Sequence, residues 1–161
     1  MSSIESLARL LDGLCSVDSA VCVSGLTNDS RSVQPGYLFM AAVDGRFYIA
    51  DAISRGAVAV VYDDQDGFEC SSTDKVRAYP IAQLSQYQGI IASRFYQAPS
   101  RALSCVAVTG TNGKTSCTQW IAQALNQFGI SCGVVGTLGA GFPSDLKPTG
   151  YTTPDAVLLQ A

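Results

Sequence analysis

The residues with the clearest chemical potential form one short stretch in the second half of the chain. The apolar run VAV at residues 106–108 is followed by TGTNGKT at residues 109–115. A glycine-containing loop between a strand and a Gly-Lys-Thr that opens a helix is the setting of a phosphate-binding loop. The glycines let backbone N–H groups converge on phosphate oxygens, and the helix N-terminus adds partial positive charge. The stretch therefore predicts a nucleotide phosphate site.

Two side chains at the end of this loop are the predicted catalytic residues. The Lys114 ammonium would contact the β- and γ-phosphates, and the Thr115 hydroxyl would bind Mg²⁺. The predicted ATP-binding residues are Gly110, Thr111, Asn112, Gly113, Lys114, Thr115 and Ser116. Val108 occupies the first glycine position of the strict pattern G-x-x-x-x-G-K-[ST]. An ordinary strand-to-helix turn with an incidental lysine is therefore the alternative.

The elements that must position this loop follow from hydrophobic periodicity and turn residues. We predict strands at residues 21–23, 37–43, 57–62, 76–81, 103–108 and 130–135. We predict helices at residues 4–14, 48–55, 82–96 and 116–128, and the start of another with Thr153 as its cap. The proline in 76–81 favours an edge strand. The acidic segment 63–74 and the glycine-rich segment 136–151 are predicted to be surface loops.

Alternating helices and buried strands predict an α/β fold with mostly parallel sheets. The segment 97–100 is a plausible linker, so we expect two domains. Residues 1–98 would form a small N-terminal α/β domain. Residues 99–161 would begin a parallel α/β ATPase domain of the phosphate-loop type. This domain would be incomplete, because two strands and an unfinished helix cannot bury both faces of a sheet. We therefore expect the chain to be the N-terminal piece of a longer protein, inactive by itself.

Composition excludes several classes of protein. Of the 161 residues 47% are hydrophobic and 14% charged, which is not the composition of a disordered chain. The formal net charge of −3 argues against a nucleic-acid binder. The apolar runs are far shorter than the ~20 residues that a bilayer requires, and no signal peptide is evident, which indicates a cytoplasmic protein without a membrane partner. The absence of histidine excludes Ser-His-Asp chemistry.

Several segments carry a resemblance to a known family. The loop at 109–115 resembles the ATP loop of the Mur ligases. The segments DSR at 29–31, GxLFxA from Gly36 and DGRxYI from Asp44 are similar to the first domain of the MurE type. RFYxxPS from Arg94, GTLG from Gly136 and TTPD from Thr152 match further segments of that type. The resemblance covers nearly the whole chain, in order.

The resemblance implies an activity in the cytoplasmic synthesis of peptidoglycan precursors. Enzymes of this type add a third amino acid, meso-diaminopimelate or L-lysine, to UDP-N-acetylmuramoyl-L-Ala-D-Glu. ATP and Mg²⁺ are the implied cofactors. ATP would phosphorylate the D-Glu carboxylate, and the incoming amine would displace phosphate from the acyl phosphate. The protein's part would be positioning and charge neutralisation.

The resemblance also implies contacts with the UDP substrate. Asn28 and Ser30, with Arg31 nearby, would contact the uridine nucleotide; a plain Asx-rich turn is the alternative. Tyr151, Thr152 and Thr153 would bind the muramoyl-peptide portion, unless Thr153 is only a helix cap. The loop before residues 44–46 is shorter than is usual in the family, which removes contacts that a longer loop would make.

Two other functions are compatible with these residues. A non-catalytic module could bind a UDP-sugar or a partner protein with a vestigial phosphate loop. A relative of the folylpolyglutamate synthetases would share the phosphate loop but would not be expected to carry the DSR segment.

Overall fold

The computed structural model describes residues 4–17, 20–70, 76–149 and 154–161, arranged in two units. The first unit extends to Ala102 and includes the last two residues, and the second is Leu103–Leu159. The first unit contains strands β1 (Glu5–Ser6), β2 (Cys22–Val23), β3 (Gly25–Thr27), β4 (Tyr37–Ala41), β5 (Ala59–Tyr62) and β6 (Arg77–Pro80). Its helices are α1 (Leu7–Leu10), α2 (Ile49–Ser54) and α3 (Leu84–Phe95).

A four-stranded parallel sheet is the centre of the first unit. Its strand order is β3-β4-β5-β6, and every neighbouring pair runs parallel. The predicted α/β class is confirmed, and buried strands lie where 37–43 and 57–62 were predicted, each two residues shorter than predicted. β6 lies at the edge of the sheet with Pro80 as its last residue, as the proline predicted. The small pair β1–β2 is antiparallel and separate from this sheet.

The two central strands are apolar along their whole length because helices cover the sheet. Phe39 and Ala41 of β4 and Val60 of β5 are fully buried in a cluster with Ile49 and Ala52 of α2. The alternate residues of β4, Leu38 and Met40, are also fully buried. A parallel sheet covered on both faces produces this continuous apolar pattern, in contrast to the alternation of a half-exposed sheet.

Helix α3 packs through one face and is tied to α1 by an arginine. Its buried residues are Leu84, Ile91, Ala92 and Phe95, which recur at helical spacing. The Arg94 guanidinium donates to the carbonyl oxygens of Leu10 (2.7 Å) and Asp12 (2.9 Å). Leu10 ends α1 and Asp12 follows it, and carbonyl groups at the end of a helix have no N–H donor within the helix. The helix predicted at 4–14 is shorter than expected, because residues 5–6 form β1.

One residue of the predicted acidic surface loop is instead a buried structural group. Asp63 is 1% exposed and follows β5 directly. Its carboxylate accepts from the N–H of Leu84 (2.9 Å), the first residue of α3, and from the N–H of Gln65 (3.1 Å). Residues 64–67 are exposed, as predicted. Asp63 therefore holds the start of α3 against the end of the central strand.

The second unit contains a long helix and a small antiparallel sheet. Helix α4 is Lys114–Gln127, and strands β7 (Val134–Gly136), β8 (Gly139–Phe142) and β9 (Asp145–Lys147) form two successive hairpins. Helix α5 is Ala156–Gln160, and the Asp155 carboxylate accepts from the N–H groups of its second and third residues. The predicted cap, Thr153, lies outside the described residues. No helix in the described ranges has the length and apolar character needed to cross a membrane.

Three sequence predictions in the second unit are corrected by the structure. Residues 103–108 do not form a strand: within the described part of the chain no strand pairs with them, and Leu103 and Val106 stay 66% and 72% exposed. The strand predicted at 130–135 is reduced to its end, in β7. The predicted loop 136–151 contains β8 and β9, because Gly139 and Gly141 adopt positive φ values and lie where a Cβ would collide with backbone carbonyls of β9.

Removal of the Asp63 carboxylate is expected to destabilise the first unit. Asp63→Ala leaves the buried N–H of Leu84 without an acceptor, a loss of about 1–3 kcal/mol. Urea denaturation followed by circular dichroism measures it. The matched control is Asp64→Ala, at an exposed neighbouring position, which should change stability by less than about 0.5 kcal/mol. Equal midpoints for the two variants would contradict the assigned role of Asp63.

Candidate functional site

The predicted phosphate loop leads directly into helix α4. Gly113 precedes the helix with φ 77° and ψ −4°, a left-handed conformation that favours glycine. The Cys117 N–H donates to the Gly113 carbonyl at 2.9 Å and closes the first turn. The left-handed conformation of Gly113 therefore turns the chain sharply from the loop into the helix N-terminus.

The backbone N–H groups of this loop are not used by the protein. Among the residues that the structure describes, no hydrogen-bond acceptor contacts the N–H groups of residues 111–116. The loop is exposed, and Thr115 is half-buried. Free N–H groups at the N-terminus of a 14-residue helix, with the helix dipole behind them, provide an electropositive surface for an anion.

The Lys114 side chain folds back over the loop. Its ammonium donates to the carbonyl oxygens of Gly110 (2.5 Å) and Thr111 (3.2 Å). The loop carbonyls thereby hold the positive charge beside the free N–H groups. The ammonium therefore lies on the same loop that carries the free N–H groups.

A cavity of about 260 Å³ lies within the second unit beside the start of α4. It is lined by Val108, Lys114, Thr115, Thr118, Gln119 and residues 134–139. Two predicted site residues, Lys114 and Thr115, therefore share it. Thr118, Gln119 and Thr137 are lining residues that the sequence analysis missed. Helical spacing is a signal for the first two, because positions i+3 and i+4 from Thr115 lie on its face of the helix.

The predicted UDP-binding residues 28–31 lie in the first unit, after β3. The Asp29 carboxylate accepts from the backbone N–H of Arg31 (2.9 Å) and forms a bidentate ion pair with its guanidinium (2.9 and 2.7 Å). The Arg31 hydrogen bond holds the pKa of Asp29 below its usual range. The ion pair is largely exposed, so it stabilises the loop only weakly.

Ser30 is buried and already has a protein partner. Its hydroxyl donates to the carboxylate of Asp51 on α2, which also forms an ion pair with Arg55 at 2.9 Å. These two contacts, the Ser30 hydrogen bond first, lower the pKa of Asp51. The side chain of Ser30 therefore connects the loop to α2.

Asn28 differs from its neighbours in the same loop. It is half-buried, and its carboxamide has no hydrogen bond to any residue in the described ranges. Of the predicted UDP contacts it is thus the side chain with unused donors and acceptors. Tyr151, Thr152 and Thr153, the other predicted contacts, lie outside the described residues.

The first unit is an α/β fold with a parallel sheet, and the second unit places the predicted phosphate loop at the start of a long helix. The family models described as "Mur ligase family, catalytic domain" and "Mur ligase middle domain" match residues 23–96 and 108–161. The chain belongs to the Mur ligase family.

Curated relatives carry the name UDP-N-acetylmuramoyl-L-alanyl-D-glutamate–2,6-diaminopimelate ligase. The protein of that name from Pseudomonas putida is 51% identical over 140 residues, covering 84% of this chain and 28% of the relative. The one from Coxiella burnetii is 46% identical over 159 residues, covering 96% of this chain and 32% of the relative. The chain thus spans about a third of the length of these relatives.

Solved structures agree with this assignment. A structure with the same ligase name superposes with a TM-score of 0.72 at 25% identity, covering 98% of this chain and 32% of the other. The UDP-N-acetylmuramoylalanyl-D-glutamyl-2,6-diaminopimelate–D-alanyl-D-alanyl ligase from Acinetobacter baumannii has a TM-score of 0.58 at 15% identity, covering 78% of this chain and 28% of the other. The second likeness shows a shared fold.

The lowered pKa of Asp51 predicts a pH-dependent contribution to stability. A carboxyl whose pKa is lower in the folded chain stabilises the fold above its unfolded pKa of 3.8 and loses that effect as pH falls through the folded value. The stability gap between wild type and Asp51→Asn should therefore shrink as pH falls from 6 to 3.

Chemical denaturation at a series of pH values measures this gap. Asp44→Asn is the matched control, because Asp44 is exposed and its carboxylate has no hydrogen bond to any described residue. A gap for Asp51→Asn that is independent of pH would show that Ser30 and Arg55 do not favour the ionised form of its carboxyl.

Proposed function

We propose that the chain is part of an ATP-dependent amide-bond ligase of the MurE type, in the cytoplasmic synthesis of peptidoglycan precursors. Residues 1–98 form its UDP-substrate domain, and residues 99–161 begin its ATP-binding domain. The names of the relatives support this activity and favour diaminopimelate over L-lysine as the amino acid that is added. The substrate that receives it is UDP-N-acetylmuramoyl-L-Ala-D-Glu.

One observation in the structure carries the ATP-binding part of the proposal. The N–H groups of 111–116 are free of protein acceptors within the described ranges, and the Lys114 ammonium lies beside them. The first N–H groups of a helix have no partner within the helix, so exposed ones bind water or a ligand. The oxygens of a polyphosphate are acceptors that suit such donors at a helix N-terminus.

The reaction needs an activated carboxylate. The γ-phosphoryl group of ATP passes to an oxygen of the D-Glu carboxylate, ADP leaves, and the amine then displaces phosphate from the acyl phosphate. Lys114 neutralises charge on the transferring phosphoryl group, and the loop N–H groups hold the remaining phosphates. Positioning and charge neutralisation are the protein's main task in such a transfer.

Magnesium fits the residues beside the loop. The Thr115 side chain lines the cavity, and its hydroxyl has no hydrogen bond to the described residues. Mg²⁺ is usually held by one or two protein oxygens together with substrate phosphates, so one free hydroxyl suffices as the protein's ligand here. The ion would supply charge neutralisation across the phosphate oxygens.

The UDP end of the substrate is assigned to the loop after β3. Asn28 supplies the free carboxamide for the uridine nucleotide. Ser30 acts indirectly, by fastening the loop to Asp51, and the exposed guanidinium of Arg31 is the nearby positive charge. Tyr151, Thr152 and Thr153 stay predicted contacts of the muramoyl-peptide portion.

Replacement of Lys114 tests the nucleotide site. Lys114→Ala removes charge-assisted hydrogen bonds to phosphate, so ATP–Mg²⁺ should bind about tenfold or more weakly, while UDP-N-acetylmuramoyl-L-Ala-D-Glu is unaffected. Isothermal titration calorimetry with the 161-residue chain measures both. Lys147→Ala, at an exposed lysine of β9, is the matched control. Unchanged ATP affinity in Lys114→Ala would refute the assignment of the loop.

A pair of variants tests the UDP loop. Asn28→Ala should weaken binding of the UDP substrate about tenfold with little change in the free energy of unfolding. The reason is that a hydrogen bond to a ligand contributes about 1–1.5 kcal/mol to the binding free energy. Ser30→Ala should lower the stability, because the hydroxyl is buried and bonded to Asp51. Calorimetric titration and urea denaturation separate the two effects. Loss of affinity in Ser30→Ala at unchanged stability would reverse these roles.

A further inference from the structure

Four side chains of α4 line the cavity beside the phosphate loop, and they differ in what they already bind. The Lys114 ammonium is held by two loop carbonyls. The Thr118 hydroxyl lies within hydrogen-bond distance of the carbonyl oxygens of Lys114 (3.1 Å) and Thr115 (2.9 Å), so its proton is directed into the helix. Thr115 and Gln119 are the other two.

Gln119 has the same status as Thr115 in this cavity. Both side chains are half-buried, and neither has a hydrogen bond to a residue that the structure describes. They are four residues apart on one helix, so they are neighbours on one face, with Cβ atoms about 5–6 Å apart. The carboxamide of Gln119 is therefore beside the hydroxyl that the proposed function gives to Mg²⁺.

A magnesium ion in such a site keeps several of its waters. It prefers oxygen ligands in octahedral geometry and gives up its hydration shell reluctantly. Groups that hydrogen-bond to the ligands of a metal ion orient those ligands, and their loss typically weakens metal binding by about 10–100-fold. A carboxamide oxygen accepts a hydrogen bond from a metal-bound water, and it carries no charge that would repel phosphate.

We infer that Gln119 is a positioning residue that holds a water of the magnesium ion at Thr115. This inference rests on the proposed ATP site and assigns a residue outside the phosphate loop to it. The carboxamide acts on the metal and not on the phosphates, so it couples the binding of Mg²⁺ to that of ATP. Gln123, one turn further along α4, is exposed and does not line the cavity.

The test measures how far Mg²⁺ strengthens ATP binding. Titrations of the 161-residue chain with ATP are run in Mg²⁺ and in EDTA, using the fluorescence of Trp120, the single tryptophan and the residue next to Gln119. In Gln119→Leu, the factor by which Mg²⁺ raises the ATP affinity should be about tenfold smaller than in wild type, and the ATP affinity in EDTA should be unchanged. Gln119→Glu should keep or increase the strengthening and bind ATP more weakly in EDTA, because a carboxylate attracts the ion and repels phosphate.

The controls separate this inference from the proposed function. Gln123→Leu should behave as wild type, and circular dichroism should show the same helix content in all variants. The inference is overturned if Mg²⁺ raises the ATP affinity of Gln119→Leu as much as that of wild type. It is also overturned if the substitution lowers the ATP affinity equally in Mg²⁺ and in EDTA. Either result leaves the assignment of the ATP site intact. Wild-type ATP binding that is indifferent to Mg²⁺ also overturns the inference. Absence of ATP binding by the wild type overturns the proposed function as well.

Discussion

The N–H groups of residues 111–116 have no protein acceptor among the described residues, and the proposed nucleotide site depends on them. Donors that the protein leaves free must bind water or a ligand, and a helix N-terminus makes an anion the favoured ligand. Gly113 in its left-handed conformation brings the loop to the helix, and the carbonyls of Gly110 and Thr111 hold the Lys114 ammonium at its side. Each of these features gives the loop more positive potential without using its donors.

The first unit treats its polar groups in the opposite way. Asp63 is buried with its oxygens bonded to backbone N–H groups, and Arg94 satisfies carbonyls at the end of α1. Ser30 and Asp51 bind each other. A parallel sheet covered on both faces requires such pairing, because a buried polar group without a partner is costly. In the loop after β3, the carboxamide of Asn28 forms no hydrogen bond with any described residue.

Sequence patterns were most informative where one local signal sufficed. The apolar runs at 37–43 and 57–62 predicted buried strands, and Pro80 favoured an edge strand. Patterns misled where the outcome depended on a distant partner. Asp63 belongs to an acidic segment that looks solvated, and the N–H of Leu84, 21 residues away, is what buries it. Thr118 and Gln119 follow the loop at helical spacing, but only the cavity shows that they share it with Lys114.

The sequence by itself determined the fold class and the resemblance to the Mur ligases, and it predicted the phosphate loop, because these rest on residue type and spacing along a continuous segment. Tertiary structure alone decided which polar groups remain free. Ser30 and Asn28 are two residues apart in one loop, yet the first is hydrogen-bonded to Asp51 of α2, whereas no described residue forms a hydrogen bond with the carboxamide of the second. The apolar run at 103–108 has strand residues, but no described strand pairs with it, and residues 103–107 stay exposed. A hydrogen bond depends on two groups lying close together, and for groups distant in the sequence only the folded structure shows whether they do.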